Sequence, residues 1–341
     1  MKFRRLGKTG LKVSEIGFGC GNIGGLFIRG THEDQFNAVK KAVEMGINYF
    51  DTAPSYGDGR SETHLGDVLA ELNPEVVLAT KVGLEVEDMR DVGGAVQRSV
   101  RKSLKRLRLG SVDVLQLHSR VAVTRGSAPW VGALSVDDVV GKNGVADAFD
   151  AIRSQGQTSF IGFTGIGEAA ALHRIIESGR FDVVQTYFNL LNPSAGWSVP
   201  SGFKGYDFKS LINRAAERGM GVAAIRVMAG GALGGVEARA GYASPTVGGT
   251  LVPNSEYEKD EAAASSLSFL VSGEVKSLPQ AALRFVLMHP AVSVALVGFS
   301  NLKQIEEAAA CSGAGPLTDF DLERLKRMWN NAPSNIHEIR S

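Results

Sequence analysis

Short apolar runs alternate with amphipathic segments along most of the chain. The runs are apolar at consecutive positions, as expected for strands of a parallel sheet that is covered on both faces. Between them, apolar residues recur at helical spacing, for example Val96, Val100, Leu104 and Leu107 within residues 93–108. The predicted strands are residues 16–19, 47–51, 75–80, 112–117, 159–163, 182–187, 221–225 and 292–297.

Recognisable end signals bound several of the predicted helices. Thr31-x-x-Asp34 begins one helix like a capping box, and Gly46 ends it. Pro279 begins another at residues 279–289, and Thr318-x-x-Asp321 caps the last. The other predicted helices lie at residues 61–72, 93–108 and 302–310, or end at Gly156, Gly179 and Gly219.

Eight strand–helix units predict an α/β fold, a (β/α)8 TIM barrel. A hairpin at residues 2–16 precedes the barrel, and residues 119–143 and 226–276 are interpreted as long irregular loops on its top face. No low-complexity tract or linker divides the chain, so we expect a single domain over residues 1–341.

Composition excludes several classes of function. The net charge is +1, from 37 basic and 36 acidic residues, so we expect neither a nucleic-acid partner nor a membrane partner. No apolar run is long enough to cross a bilayer, and the polar N-terminus has no signal-peptide core. Two distant cysteines, Cys20 and Cys311, fit a reducing cytosol. We therefore expect a cytoplasmic protein, and no feature of the sequence fixes its oligomeric state.

Ionisable residues stand at the ends of three consecutive predicted strands. Asp51 ends the strand at 47–51, Lys81 follows the strand at 75–80, and His118 follows the strand at 112–117. Tyr56 lies on a Pro-Ser-Tyr-Gly turn just after Asp51. Because barrel enzymes place their active sites at the carboxyl ends of the strands, this pattern predicts an active site on one face of the barrel.

The four residue types suit proton transfer to an oxygen atom. A free phenol has a pKa of about 10, and an adjacent ammonium such as Lys81 would stabilise the phenolate and lower that value. Asp51 would hold Lys81 in place. Taken singly, Tyr56 could be a turn residue, Asp51 and Lys81 a structural ion pair, and His118 a core histidine. The six histidines have no metal-ligand spacing, so we expect no metal.

Asp51, Tyr56, Lys81 and His118 resemble the catalytic tetrad of the aldo-keto reductases. The resemblance extends from Leu6-Gly-Lys-Thr-Gly-Leu-Lys-Val-Ser to Leu296-Val-Gly-Phe-Ser-Asn. It implies an NAD(P)-dependent oxidoreductase that passes hydride between a nicotinamide and a small carbonyl or sugar substrate. Tyr56 would protonate the oxygen, helped by Lys81 and Asp51, while His118 orients it.

The resemblance also implies the cofactor contacts, with NADP expected and NAD possible. The segment after residue 294 resembles the part of the family that binds the adenosine end, and its helix N-terminus suits a phosphate. Two positions depart from the usual pattern: Thr164 stands where the family usually has a serine, and Ile225 and Arg226 stand where many members have an aromatic residue. In these departures the chain is more similar to the sugar-oxidising members, such as the L-galactose and L-fucose dehydrogenases, than to the aldose reductases. The implied cofactor residues are Gly21, Thr164, Gln185, Ile225, Arg226, Gly298, Ser300, Asn301, Gln304 and Glu307.

Three other interpretations of the sequence are considered for the fold and the function. The first is a Rossmann fold: Gly19-Cys-Gly-Asn-Ile-Gly24 matches a dinucleotide fingerprint, with Asp51 as a possible ribose ligand. We reject it because a Rossmann helix must begin within the glycine loop, whereas residues 24–30 come before any predicted helix. An aldose 1-dehydrogenase and a nucleotide-binding barrel without catalysis, like the potassium-channel β-subunits, remain alternatives. Trp130, Phe188 and Trp197 are candidate walls of the substrate pocket.

Overall fold

The computed structural model describes residues 1–235, 241–244 and 251–330. Within them, short strands alternate with helices in nearly the predicted order. In chain order the strands are β1 (Phe3–Arg5), β2 (Lys12–Ser14), β3 (Ile16–Gly19), β4 (Tyr49–Asp51), β5 (Val77–Val82), β6 (Val112–Leu117), β7 (Val121–Ala122), β8 (Leu134–Ser135), β9 (Thr158–Gly165), β10 (Val183–Tyr187), β11 (Gly221–Ile225) and β12 (Val294–Gly298).

Eight of these strands, β3 to β6 and β9 to β12, form a closed parallel barrel. Each pairs with the next barrel strand along the chain, and β12 pairs with β3 to close the ring. The (β/α)8 barrel predicted from the sequence is therefore confirmed. Because the sheet is closed and β3 pairs with β4, the Rossmann interpretation of Gly19–Gly24 does not apply.

Helices surround the barrel, and several begin at a side-chain cap, including the predicted caps Thr31 and Thr318. The side chains of Thr31, Ser277 and Asn301 each accept a hydrogen bond from a backbone N–H of the first turn. The helices are α1 (Leu26–Arg29), α2 (His32–Glu44), α3 (Arg60–Leu72), α4 (Val92–Leu107), α5 (Val136–Val140), α6 (Val145–Ser154), α7 (Ala169–Glu177), α8 (Leu211–Glu217), α9 (Tyr257–Ser265), α10 (Leu278–Leu287), α11 (Leu302–Ala310) and α12 (Asp319–Asn330).

The N-terminal hairpin closes the bottom of the barrel, as expected. β1 and β2 pair antiparallel, and Leu6 and Val13 pack against apolar side chains at the amino ends of the barrel strands. This interior layer includes Tyr49, Ala79, Val114, Val183 and Val294.

The alternation of side chains along each strand positions the site. Successive strand residues point to opposite faces, so the residue two positions after an interior one also points inward. Moving two residues from Tyr49, Ala79, Val114 and Val183 towards the top of the barrel reaches Asp51, Lys81, Gln116 and Gln185. An apolar lower layer is thus followed by a polar upper layer.

Three parts of the predicted loops are structured. The region 226–276 contains α9. Only Ala264 of its nine residues is buried, so the sequence of α9 has no apolar stripe. Residues 119–143 contain β7, β8 and α5, and the glycine-rich loop after β3 contains the single turn α1. These elements are too short for a periodic pattern to reveal them. In the described residues, no helix has the length and apolarity needed to cross a membrane.

Candidate active site

A buried ion pair joins two neighbouring barrel strands. Asp51 ends β4 and Lys81 lies on β5, where the Lys81 ammonium is 2.5 Å from Asp51 Oδ2 and 2.8 Å from the Thr52 carbonyl oxygen. Gln116 and Gln185 donate to the other carboxylate oxygen, Oδ1. Every oxygen of Asp51 therefore has a donor, and the Lys81 side chain has no exposed surface.

Tyr56 lies on the turn that follows β4 and reaches back to this ion pair. Its hydroxyl is 3.3 Å from the Lys81 ammonium, which also lies 4.8 Å from the centre of the phenol ring. The ring is half-buried, and a side chain at Gly21 would contact it at 3.5 Å. Tyr56 is thus the group through which the buried pair reaches the solvent-accessible top of the barrel.

His118 follows β6 and completes the cluster. Its backbone N–H donates to the Val82 carbonyl oxygen, and its ring stands edge-on to the Tyr56 ring, with centroids 5.7 Å apart. Nδ1 lies 3.4 Å from the Ser55 hydroxyl. Burial, and then the Lys81 charge, lower the His118 pKa to about 3, so the imidazole is neutral near pH 7.

The electrostatics of Tyr56 differ from the sequence-based expectation. Burial raises the pKa of the phenol, and Lys81 lowers it by a smaller amount, so the net pKa lies above the ordinary value. Lys81 does lower the phenol pKa, as the sequence predicts, but the sequence does not show the depth of burial, which outweighs this effect. Burial lowers the Lys81 pKa, but Asp51 and Tyr56 raise it by more, which keeps Lys81 an ammonium.

A cavity of about 710 Å³ opens above the cluster. Lys81 lies behind it, and every other residue predicted for the catalytic tetrad or for cofactor binding lines it. The lining includes Asp51, Tyr56, His118, Gly21, Thr164, Gln185, Ile225, Arg226, Gly298, Ser300, Asn301, Gln304 and Glu307.

One end of the cavity is formed by the turn after β12. Asn301 caps α11, and the backbone N–H and the hydroxyl of Ser300 both donate to Gln304 Oε1, at 2.8 and 3.1 Å. Gly24 packs against this turn, since an added Cβ there would lie 2.4 Å from the Phe299 nitrogen. The glycines of the β3 loop therefore allow two backbones to approach closely at the cavity wall.

Thr164 also lines the cavity and has a distinctive hydroxyl. Its hydroxyl is buried without a hydrogen-bond partner in the described part of the chain, although the residue lines the cavity. A buried unpaired hydroxyl is costly, so this position fits a ligand that supplies the missing partner.

Some residues of the site were not predicted from the sequence, and other predicted residues lie elsewhere. Gln116 holds Asp51, and a polar residue inside the apolar run 112–117 was the available signal. None of the three aromatic residues predicted as pocket walls lines the cavity. Trp130 packs on Tyr206 instead, and Phe188 and Trp197 pack on His289. No group of acidic, histidine or cysteine residues suited to a metal occurs within 1–235, 241–244 or 251–330.

At the cavity of this TIM barrel lie a buried acid–lysine pair, a tyrosine and a neutral histidine. This arrangement is that of an oxidoreductase with a TIM-barrel fold. Residues 15–330 match the Aldo/keto reductase family, which is nearly the whole chain. The chain belongs to this family.

Three relatives illustrate its place in the family. The chain is 29% identical to L-galactose dehydrogenase of Arabidopsis thaliana over 99% of both chains. The holo structure of an aldo-keto reductase from Bacillus halodurans superposes with a TM-score of 0.70 at 22% identity, covering 99% of both chains. An aldo/keto reductase from Klebsiella pneumoniae, in complex with NADP and acetate, gives a TM-score of 0.67 at 19% identity and covers 98% of both chains.

Proposed function

We propose that the protein interconverts a carbonyl group and an alcohol with NADP(H), using Tyr56 as general acid and base. The observation that carries this proposal is the position of the Lys81 ammonium between the Asp51 carboxylate, at 2.5 Å, and the Tyr56 hydroxyl, at 3.3 Å. A cation held there favours the phenolate that forms when the phenol gives up its proton.

The cavity suits a nicotinamide dinucleotide. Thr164, which has an unpaired hydroxyl and is paired in the sheet with Gln185, and the polar Ser300–Gln304 turn both line the cavity. The bound cofactor would supply or accept the hydride. NADP in the Klebsiella pneumoniae neighbour supports the choice of cofactor.

The remaining chemistry falls to the side chains of the chain. In reduction, Tyr56 donates its proton to the carbonyl oxygen, and Lys81 stabilises the phenolate left behind. Asp51 fixes Lys81 in place. Neutral His118, edge-on to the Tyr56 ring, holds the carbonyl oxygen near the phenol by a hydrogen bond. Reversal of these steps oxidises an alcohol, with the Tyr56 phenolate as base.

Sugar oxidation at C1 is the second candidate, supported by the full-length similarity to L-galactose dehydrogenase. A panel of aldehydes, ketones and aldoses, assayed in both directions with NADP(H) and NAD(H), distinguishes the two by the absorbance of the reduced nicotinamide. Turnover of aldoses alone would favour the dehydrogenase. Tight cofactor binding without turnover of any substrate would contradict both, and would favour a nucleotide-binding barrel without catalysis.

A further inference from the structure

Arg226 occupies a position at which barrel enzymes place functional groups. It directly follows β11, at the carboxyl end of the strand, and its half-buried side chain lines the same cavity as Tyr56 and His118. The resemblance to the family implies a cofactor contact for Arg226, and no pattern in the sequence adds to that implication.

The backbone of Arg226 is held in an unusual conformation. Its φ is +56°, in the left-handed region that residues with a Cβ seldom adopt. Its carbonyl oxygen accepts hydrogen bonds from the Asn189 side chain, at 2.9 Å, and from the Ala229 backbone, at 2.8 Å. Non-glycine residues held in this way cluster at ligand sites, where they fix the direction of a side chain.

The guanidinium of Arg226 makes neither a hydrogen bond nor an ion pair with the residues that the structure describes. Other arginines are paired, such as Arg106 with Glu62 and Arg180 with Asp147. Burial raises the pKa of Asp260 to about 6 and the Arg226 charge lowers it, but Asp260 accepts a hydrogen bond from Ser255 at 3.1 Å and forms no ion pair with Arg226. A planar group with five donors is thus left facing the cavity.

The charge of Arg226 acts on the reaction centre. The pKa of Tyr56, raised by burial and lowered by Lys81, is also lowered by Arg226. The pKa of Tyr187, raised mainly by burial, is lowered slightly by the same charge. The charge of Arg226 is therefore felt at Tyr56, and both residues line the same cavity.

We propose that Arg226 is a substrate-recognition residue, which pairs with an oxyanion carried by the carbonyl substrate, a carboxylate or a phosphate. This proposal rests on the oxidoreductase function proposed above and narrows its substrate class. Guanidinium groups bind such anions through two parallel charge-assisted hydrogen bonds. The same chemistry could instead serve the cofactor's phosphates, and the experiment separates the two sources.

The test compares the three carboxybenzaldehydes with their methyl esters, which keep the ring and the aldehyde but lose the charge. We expect at least one acid to exceed its ester in kcat/KM, mainly through KM. In Arg226→Gln the acid-to-ester ratio should fall by roughly 10- to 100-fold, the range expected for a hydrogen bond to a charged group. Arg120→Gln is the matched control, because Arg120 also lines the cavity but packs over Trp130, and its ratio should stay near that of the wild type.

Two further measurements make the outcome decisive. The dissociation constant of NADPH, measured by fluorescence quenching, should change little in Arg226→Gln. A large loss of NADPH affinity with an unchanged acid-to-ester ratio of kcat/KM would assign Arg226 to the cofactor and overturn the proposal. Calorimetric binding of benzoate against benzamide needs no turnover. If the enzyme turned over none of the aldehydes, the oxidoreductase proposal would fail, but a loss of benzoate affinity in Arg226→Gln would still support the anion site. An unchanged benzoate affinity in this variant would overturn the anion site.

Discussion

Lys81 and Asp51 form an ion pair in which neither side chain is more than 5% exposed. In the register of the two strands, Asp51 lies beside Ala79, and Lys81 is two residues further along β5, on the same inward face. Strand pairing and side-chain alternation thus bring the two charges together. The consequence is a cation fixed beneath Tyr56.

Tyr56→Phe should lower kcat by about 100- to 10,000-fold, because only the proton donor is removed while the ring is kept. Binding of NADPH should be retained, since the aromatic ring still packs beside Gly21. Steady-state kinetics with a good aldehyde substrate and fluorescence titration of the cofactor measure the two effects. A variant that kept most of its activity would exclude Tyr56 as the acid.

Lys81→Met should move the pH–rate profile as well as lower the rate. Lys81 lowers the Tyr56 pKa, so its removal raises that pKa, and the limb that reports the phenolate in the oxidation direction should shift to higher pH. Loss of the buried partner should also destabilise the fold by about 3–5 kcal/mol.

The double variant Asp51→Asn/Lys81→Met is the control for that destabilisation. It removes both charges and should recover part of the lost stability in chemical unfolding. An unchanged pH profile in Lys81→Met, with only a higher KM for substrate, would mean that Lys81 binds substrate and does not tune Tyr56.

His118 should make stability depend on pH in the acid range. Its pKa is about 3 in the folded protein, against an ordinary value near 6.5, so the unfolded chain binds more protons between these values. Stability from this group is therefore present above about pH 6.5 and is lost as the pH falls towards 3. Unfolding midpoints from pH 7 to 4 should fall less steeply in His118→Gln than in the wild type; identical slopes would contradict a buried neutral imidazole.

Thr164→Val tests the fit of the cofactor without relying on turnover. The valine keeps the volume of the side chain and removes the unpaired hydroxyl, so the ligand-free protein should be as stable as the wild type or slightly more so. Binding of NADPH should weaken by about 3- to 10-fold, the value of one neutral hydrogen bond. Thr186→Val is the matched control: its hydroxyl is also buried and unpaired in the described structure, but it does not line the cavity. Equal effects of the two variants on binding would exclude a contact by Thr164.

The sequence was sufficient for features that repeat or that depend on strand ends. Apolar runs separated by helical stripes specify the barrel, and Asp51, Lys81 and His118 could be grouped because neighbouring strands end at one face. Features that depend on three-dimensional burial could not be predicted. The raised pKa of Tyr56 and the burial of Phe188 against Phe285 and His289 follow from how the loops fold over the strands. The helix Tyr257–Ser265 was missed because it packs with almost no apolar surface.

The preference between NADP and NAD should be set at the turn after β12. The polar groups there are neutral: Asn301 caps the helix, and Ser300 is bound to Gln304, while the nearby cation Lys303 is 69% exposed and 3.8 Å from Glu307. A 2′-phosphate needs charge-assisted donors for strong selection, so we expect activity with both cofactors and a modest preference for NADP.

Gln304→Arg adds such a donor and should raise the NADP-to-NAD ratio of kcat/KM by about tenfold. The substitution also breaks the bonds from Ser300 to Gln304 Oε1, so Gln304→Met is the control that loses these bonds without adding charge. Both cofactors are compared at one saturating substrate concentration in the three proteins. A wild type with a strong preference for NAD would refute the expected lean towards NADP. If Gln304→Arg and Gln304→Met gave the same ratio, residue 304 would lie away from the ribose, and the assignment of this turn to the adenosine end of the cofactor would be wrong.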